Sequence, residues 1–300
     1  MPVKALVITG PTASGKTAAA ISIAKRFNGE IISADSMLVY KGMDIGTAKP
    51  TMEERERVPH HLIDVISPKA SFSVSDYEAL ALPIVERLIA EGKTPIICGG
   101  TGFYINSILY KSQFGNVGAN EEIRAKYEEI LKEHGAEYLH TILKEKDPQS
   151  GEKLHPNDTK RVIRALEIYD VTGQPKSMQQ DKPIPRFDFV AVSVDYPRET
   201  LYERINLRVE EMFRLGLVDE VKNLLSQGVT TDMQCMQGIG YKEVVEGLAL
   251  GQTEGEIKEI IKKNTRNYAK RQITFFKRMQ NHVLLTPPNN TAEEVAKWMV

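Results

Sequence analysis

Short apolar runs that end in glycine-rich or polar loops alternate, over most of the chain, with longer stretches of helical apolar spacing. Residues 3–9 read as a strand closing on a glycine loop, and residues 17–27 follow with apolar positions at Ala20, Ile21, Ile23 and Ala24, one face of a helix. Further strands are predicted at 30–33, 94–98, 188–194 and 282–285, with a helix over 75–91. Strands that are apolar throughout suit a parallel sheet covered on both faces, so the pattern predicts an α/β fold.

From 117 to 186 the alternation stops and the pattern is mainly helical. Asn120 precedes Glu121 and Glu122 as an N-cap, Asn157 or Asp158 caps a second helix, and Gly173 and Pro175 stop it. Gly115, Asn116 and Gly118 on one side, and Lys182-Pro183-Ile184-Pro185 on the other, are loop-like boundaries. The expected organisation is a core begun by residues 1–116, a helical insertion at 117–186, and completion of the core by 187–300.

Composition narrows the class. With 300 residues, 41% hydrophobic and 26% charged, the chain reads as globular. No apolar run approaches the roughly 20 residues that span a bilayer, and Met1-Pro2-Val3-Lys4 lacks a signal-peptide pattern, so a cytoplasmic protein without membrane contact is expected. Cys98 and Cys235 fall outside any disulfide or zinc spacing and read as small buried hydrophobes.

The net charge of −1 conceals a basic segment. Lys258, Lys262, Lys263, Arg266, Lys270, Arg271, Lys277 and Arg278 are accompanied by one acid, Glu259. At about 100° per residue most of these cations share one arc, opposite Ile261, Tyr268, Phe275 and Met279. This is either a solvated surface helix or a cationic face for a polyanion.

Gly10-Pro11-Thr12-Ala13-Ser14-Gly15-Lys16-Thr17 fits the P-loop pattern G-x-x-x-x-G-K-[ST] and lies between a predicted strand and a predicted helix, as that motif requires. Its N–H groups would grip phosphate oxygens, Lys16 would neutralise them, and Thr17 would face a magnesium ion. A P-loop alone leaves the reaction open. Asp35 follows the second strand, at the edge where open α/β sheets place ligands, although with Ser36 it also fits a helix cap. Two glycine loops, 42–50 and Gly99-Gly100-Thr101-Gly102-Phe103-Tyr104, imply close backbone approach without identifying a reaction.

Taken together, GPTASGKT, SADSMLVYKGMDIGTAKP, HHLID at 60–64, GGTGFY, HPNDTKRVIRALEI at 155–168, QGIGYKE at 237–243 and TRNYAKRQ at 265–272 resemble the bacterial tRNA dimethylallyltransferase family, in the family's order. The resemblance implies a P-loop kinase-like parallel sheet core with a helical insertion domain that contacts the tRNA anticodon stem-loop. It implies transfer of a dimethylallyl group from dimethylallyl diphosphate to N6 of adenosine 37, in tRNAs reading codons that begin with U. Pyrophosphate is released. The chain departs from the family at Leu38, where many members have glutamine, and at Phe275, where the family has tryptophan.

On this resemblance, Asp35 is the candidate base, Lys16 and a Thr17-bound Mg2+ stabilise the leaving diphosphate, and Thr101 contacts the target nucleotide. Asp35, Ser36, Met37, Leu38, Arg124, Thr159-Lys160-Arg161-Val162-Ile163 and Gln237-Gly238-Ile239-Gly240-Tyr241-Lys242 are the implied tRNA-binding positions. Arg204 and Arg208 share a helix face; Arg208 is the candidate diphosphate clamp, with a salt bridge as the alternative role. A monomer is the simplest expectation. A small-molecule kinase would share the P-loop and sheet, an RNA-binding module would leave the P-loop without a role, and an isopentenyltransferase acting on free adenine nucleotides would not need the insertion or the basic segment.

Overall fold

The computed structural model describes residues 4–111, 118, 120–178, 184–279, 282–285 and 291–297. Val3 of the first predicted strand and the boundary residues Gly115, Asn116, Val117, Lys182 and Pro183 lie outside the described residues. In chain order the elements are β1 (Ala5–Thr9), α1 (Lys16–Arg26), β2 (Gly29–Ser33), β3 (His60–His61), α2 (Val74–Ala90), β4 (Thr94–Cys98), α3 (Gly102–Leu109), β5 (Tyr110–Lys111), α4 (Glu121–Lys146), α5 (Pro148–Lys153) and α6 (Thr159–Thr172). They continue with β6 (Ile184–Pro185), β7 (Phe189–Val194), α7 (Arg198–Arg214), α8 (Leu217–Ser226), α9 (Tyr241–Ala249), α10 (Glu254–Phe276), β8 (His282–Leu285) and α11 (Thr291–Ala296). The two-residue strands β3, β5 and β6 escaped the sequence reading because so short a run carries no period.

The chain forms two compact units, one of residues 1–109 with 185–300 and one of residues 110–184. In the first, six parallel strands are ordered β3-β2-β4-β1-β7-β8. Central β1 pairs with β4 through Leu6–Ile96 and with β7 through Leu6–Val190, so the connections leave it toward opposite sides of the sheet. The crevice that opens outside the carboxyl end of such a strand is where this architecture binds ligands. Helix α1 covers one sheet face, burying Ala20, Ile23 and Ala24 against Leu6, Ile8, Ile96 and Val192. Each fully buried Ile or Leu there contributes roughly 2–3 kcal/mol. Behind the strands Tyr77 of α2 stacks on Tyr104 of α3, ring centroids 4.0 Å apart.

Helix starts follow their caps. Ser73 and Asp76 form a capping box on α2. Thr253 and Glu256 form another on α10, which therefore begins before the basic run at Lys258. In the helical unit the Asn120 side chain accepts from the Ile123 N–H at 3.0 Å, the cap read from the sequence. Helices α4 and α6 pack through Tyr127, Leu139, Leu143, Val162 and Leu166, and Gly135 at φ 82° interrupts α4. Among the described residues no helix is long and apolar enough to cross a membrane.

Candidate active site

The P-loop connects β1 to α1 at the carboxyl edge of the sheet. Gly10 sits at φ 145°, and a Cβ there would lie 2.7 Å from the Val194 carbonyl oxygen, so any side chain would collide with the neighbouring strand. Helix α1 starts at Lys16, and its unpaired first-turn N–H groups open on the loop. The Lys16 ammonium donates to the Pro11 carbonyl at 3.4 Å. Burial lowers its pKa and Arg208 adds to the effect, opposed by Cys98 and Asp35. Burial likewise pushes the Cys98 thiol up to about 12, the behaviour of an inert buried residue.

A cavity of about 1150 Å³ opens on this loop, lined by Lys16, Thr17, Lys25, Arg26, Arg204 and Arg208. Arg204 donates to the Ala13 carbonyl at 2.8 Å and stacks over the Tyr196 ring at 4.8 Å. Arg208 donates to the Thr47 carbonyl at 3.0 Å. Among the described residues neither arginine has an ion-pair partner, so the salt-bridge alternative does not hold for either.

Asp35 lies in the turn after β2. Its Oδ1 accepts from the Met37 N–H at 2.9 Å, and no helix follows, so the helix-cap alternative is replaced by a side-chain turn. Thr101, after β4, accepts from the Ser36 N–H at 3.0 Å and donates its own N–H to the Ala34 carbonyl at 3.0 Å. The two loops meet this closely because residue 99 is glycine: a Cβ there would lie 2.1 Å from Ala34 O. The Asp35 charge favours the cations of Lys16 in the phosphate loop and of Arg208 beside its cavity, opposing the effect of their burial.

Helix α10 supplies residues that the sequence reading left without a role. The buried Gln272 side chain accepts from the Thr12 N–H at 2.9 Å and donates to the Gly100 carbonyl at 3.0 Å. Burial raises the pKa of the Tyr268 hydroxyl, opposed by the Thr101 and Gln272 side chains. Cβ atoms at residues 100 and 102 would fall 2.2 Å from Gln272 Nε2 and 2.1 Å from the Phe275 ring, so both glycines exist to receive α10. Sequence proximity gives no clue to the contacts of Gln272 with Thr12 and Gly100 or of Phe275 with Gly102, which join residues more than 170 positions apart.

A family model described as IPP transferase matches residues 38–279. The chain belongs to the IPP transferase family. A tRNA dimethylallyltransferase of Acetivibrio thermocellus is 50% identical over 279 residues, which cover 92% of this chain and 89% of that protein. The solved tRNA isopentenylpyrophosphate transferase of Bacillus halodurans is 40% identical, with a TM-score of 0.73 covering 98% and 95% of the two chains. A eukaryotic dimethylallyltransferase solved acting on tRNA is 29% identical, with a TM-score of 0.83 covering 98% and 77%.

Several segments that carry the family resemblance support the site from behind. The loop 42–50 is held by Glu220, whose carboxylate accepts from the N–H groups of Asp44, Ile45 and Gly46 at 2.8, 2.8 and 3.0 Å. Lys49 donates to Asp44 and Asp64, both at 2.5 Å, and His61 meets Glu30 at 2.7 Å, which accounts for two residues of HHLID. Tyr241 is fully buried against Gly46, and Gly238 faces Met37. Gln237 and Lys242 are exposed, Ile239 is half-buried and Gly240 is buried; Ser36, Met37 and Leu38 are half-buried in their turn.

In the helical unit, Val162 and Ile163 are buried in the α4–α6 core, Thr159 is half-buried, and Lys160 and Arg161 are exposed. Arg124 makes two bonds to Glu167, at 2.9 and 3.1 Å. The basic run divides in two. Lys258 and Lys262 pair with Glu210 at 3.1 and 2.6 Å and Arg266 bonds Asn206 at 2.8 Å, all toward α7. Lys263, Lys270, Arg271, Lys277 and Arg278 are exposed.

Proposed function

We propose that this chain transfers a dimethylallyl group from dimethylallyl diphosphate to N6 of adenosine 37 in tRNAs reading codons that begin with U, releasing pyrophosphate. The observation that carries the proposal is that one sheet edge holds both a phosphate loop with Lys16, Arg204 and Arg208 around its cavity and, on the neighbouring turns, the Asp35–Ser36–Thr101 group. The family's named members act on tRNA, and the exposed cations of α10 offer a surface for such a polyanion.

In this reading N6 attacks the allylic carbon, the carbon–oxygen bond to the diphosphate breaks, and the N6 proton passes to the Asp35 carboxylate. Proton removal matters because the adenine amino lone pair is delocalised into the ring. Charge accumulates on the departing diphosphate, where the loop N–H groups, Lys16 and the two arginines stabilise it. Thr17 lines the cavity beside Lys16, and among the described residues no group of three His, Cys, Asp or Glu could cage a metal. That donor set suits magnesium, which keeps waters and takes substrate phosphate oxygens as ligands. Held by Thr17, the ion would neutralise charge on the leaving group.

Thr101 is proposed to orient the target nucleotide, which must leave its stack to reach Asp35. Lys160, Arg161, Gln237 and Lys242, being exposed, are the proposed RNA-facing positions; buried Val162, Ile163 and Tyr241 would shape those surfaces from within. Arg124 is proposed to reach RNA only by exchanging Glu167 for a phosphate. The protein is proposed to act in the cytoplasm as a monomer. Incubation with unmodified tRNA, dimethylallyl diphosphate and magnesium, followed by nucleoside analysis, tests the proposal. Absence of N6-dimethylallyladenosine, with competent substrates, would defeat it.

A further inference from the structure

We infer that Gln272 is a positioning residue that sets the phosphate loop and the Thr101 loop in register, so that the leaving group and the nucleophile are aligned by one side-chain amide. The inference rests on the transferase reading above. Gln272 is 5% exposed, and its two ends serve different loops: Oε1 accepts from Thr12 N–H at 2.9 Å and Nε2 donates to Gly100 O at 3.0 Å. One acceptor and one donor on a single planar group are required. Glutamine supplies both at this side-chain length, whereas glutamate lacks the donor, and methionine has no donor and only a weak sulfur acceptor.

The surroundings are built around this contact. Residue 100 is a glycine whose Cβ would lie 2.2 Å from Nε2, so the loop approaches as closely as backbone allows. Phe275, about one turn later on α10, packs as closely on the same loop: a Cβ at residue 102 would lie 2.1 Å from its ring. Gly100 is followed directly by Thr101, and Thr12 lies within the diphosphate loop, so a shift of the amide moves both reacting partners relative to each other. Misplacement of about 1 Å at a reacting centre costs about 10²-fold in rate, which is large compared with the effect of one hydrogen bond on binding.

Gln272→Met and Gln272→Glu test the inference, profiled beside the wild type. For Gln272→Met we expect kcat to fall about 10- to 100-fold while KM for dimethylallyl diphosphate and for tRNA stays within about 3-fold. Affinity for inorganic pyrophosphate, measured by calorimetry, should stay within the same range. For Gln272→Glu we expect activity relative to wild type to recover as the pH is lowered from about 8 to 6, because the introduced carboxyl regains a proton to donate to Gly100 O. Taking the ratio to wild type cancels what the neighbouring charged groups, Lys16 and Asp35 among them, contribute to both profiles, and Tyr268, its pKa raised by burial, stays neutral throughout. An unchanged kcat in Gln272→Met overturns the inference, as does a loss confined to KM or pyrophosphate affinity. If Gln272→Met does not fold, a flat pH ratio for Gln272→Glu overturns it by itself. A wild type without transferase activity would instead count against the function proposed above.

Discussion

The Tyr241 hydroxyl donates to Glu220 Oε1 at 2.6 Å while the same carboxylate holds three backbone N–H groups of the loop 42–50. Two segments of the family resemblance, 42–50 and 237–243, are thus tied by an acid in neither of them. Arg208 docks on this loop through Thr47, so the loop in turn steadies the phosphate cavity.

Glu220→Ala should release four donors at once and cost about 2–3 kcal/mol of stability, since unmade bonds to part-buried donors are expensive. Tyr241→Phe removes one donor and should cost about 1 kcal/mol. Chemical denaturation measures both, and equal losses for the two variants would show that the loop is anchored elsewhere.

Asp35→Asn should lower transfer about 10²- to 10⁴-fold, the range of a general base, while tRNA affinity stays within a few-fold. Single-turnover kinetics and a binding titration separate the effects. Full activity in this variant would remove Asp35 from proton transfer.

Lys16 carries a pKa lowered first by burial, and a bound diphosphate favours its cation. Binding therefore raises the pKa and takes up a proton where the free lysine is partly neutral. Pyrophosphate affinity should be full below the free-state pKa and fall as the pH rises from that value to the bound-state pKa, beginning at lower pH than an ordinary lysine would give. Calorimetry across alkaline pH reads this; the same decline in Lys16→Arg, whose charge does not titrate there, would assign the proton to another group.

Charge reversal at Lys270, Arg271, Lys277 and Arg278 should weaken tRNA binding and reduce the salt dependence by roughly one unit of slope per lost phosphate contact. Reversal at Lys258 and Lys262, which face Glu210, should disturb the α7–α10 contact instead and leave the slope unchanged. A salt slope insensitive to the first set would return this face to a solvated surface.

The sequence by itself determined the features whose cause is local. The P-loop is eight consecutive residues whose glycines and helix start act within their own turn, and the strands at 94–98 and 282–285 are marked by their own apolar runs. Asn120 caps a helix beginning one residue later. Asp35 was readable as a candidate because the end of a parallel strand is a ligand edge wherever that strand lies.

Only the tertiary structure decided which residues hold these pieces together. Gln272 bonds a residue 260 positions away, Glu220 one 176 positions away, and both look like ordinary polar residues of surface helices until the chain is folded. The eight cations of the basic run have equivalent chemistry in the sequence; it is the packing of α7 against α10 that pairs or bonds three of them and leaves five to solvent. Local conformation follows from each residue's own backbone and near neighbours, whereas the partner of a buried donor is chosen by whatever acceptor the sheet and helices bring within 3 Å of it.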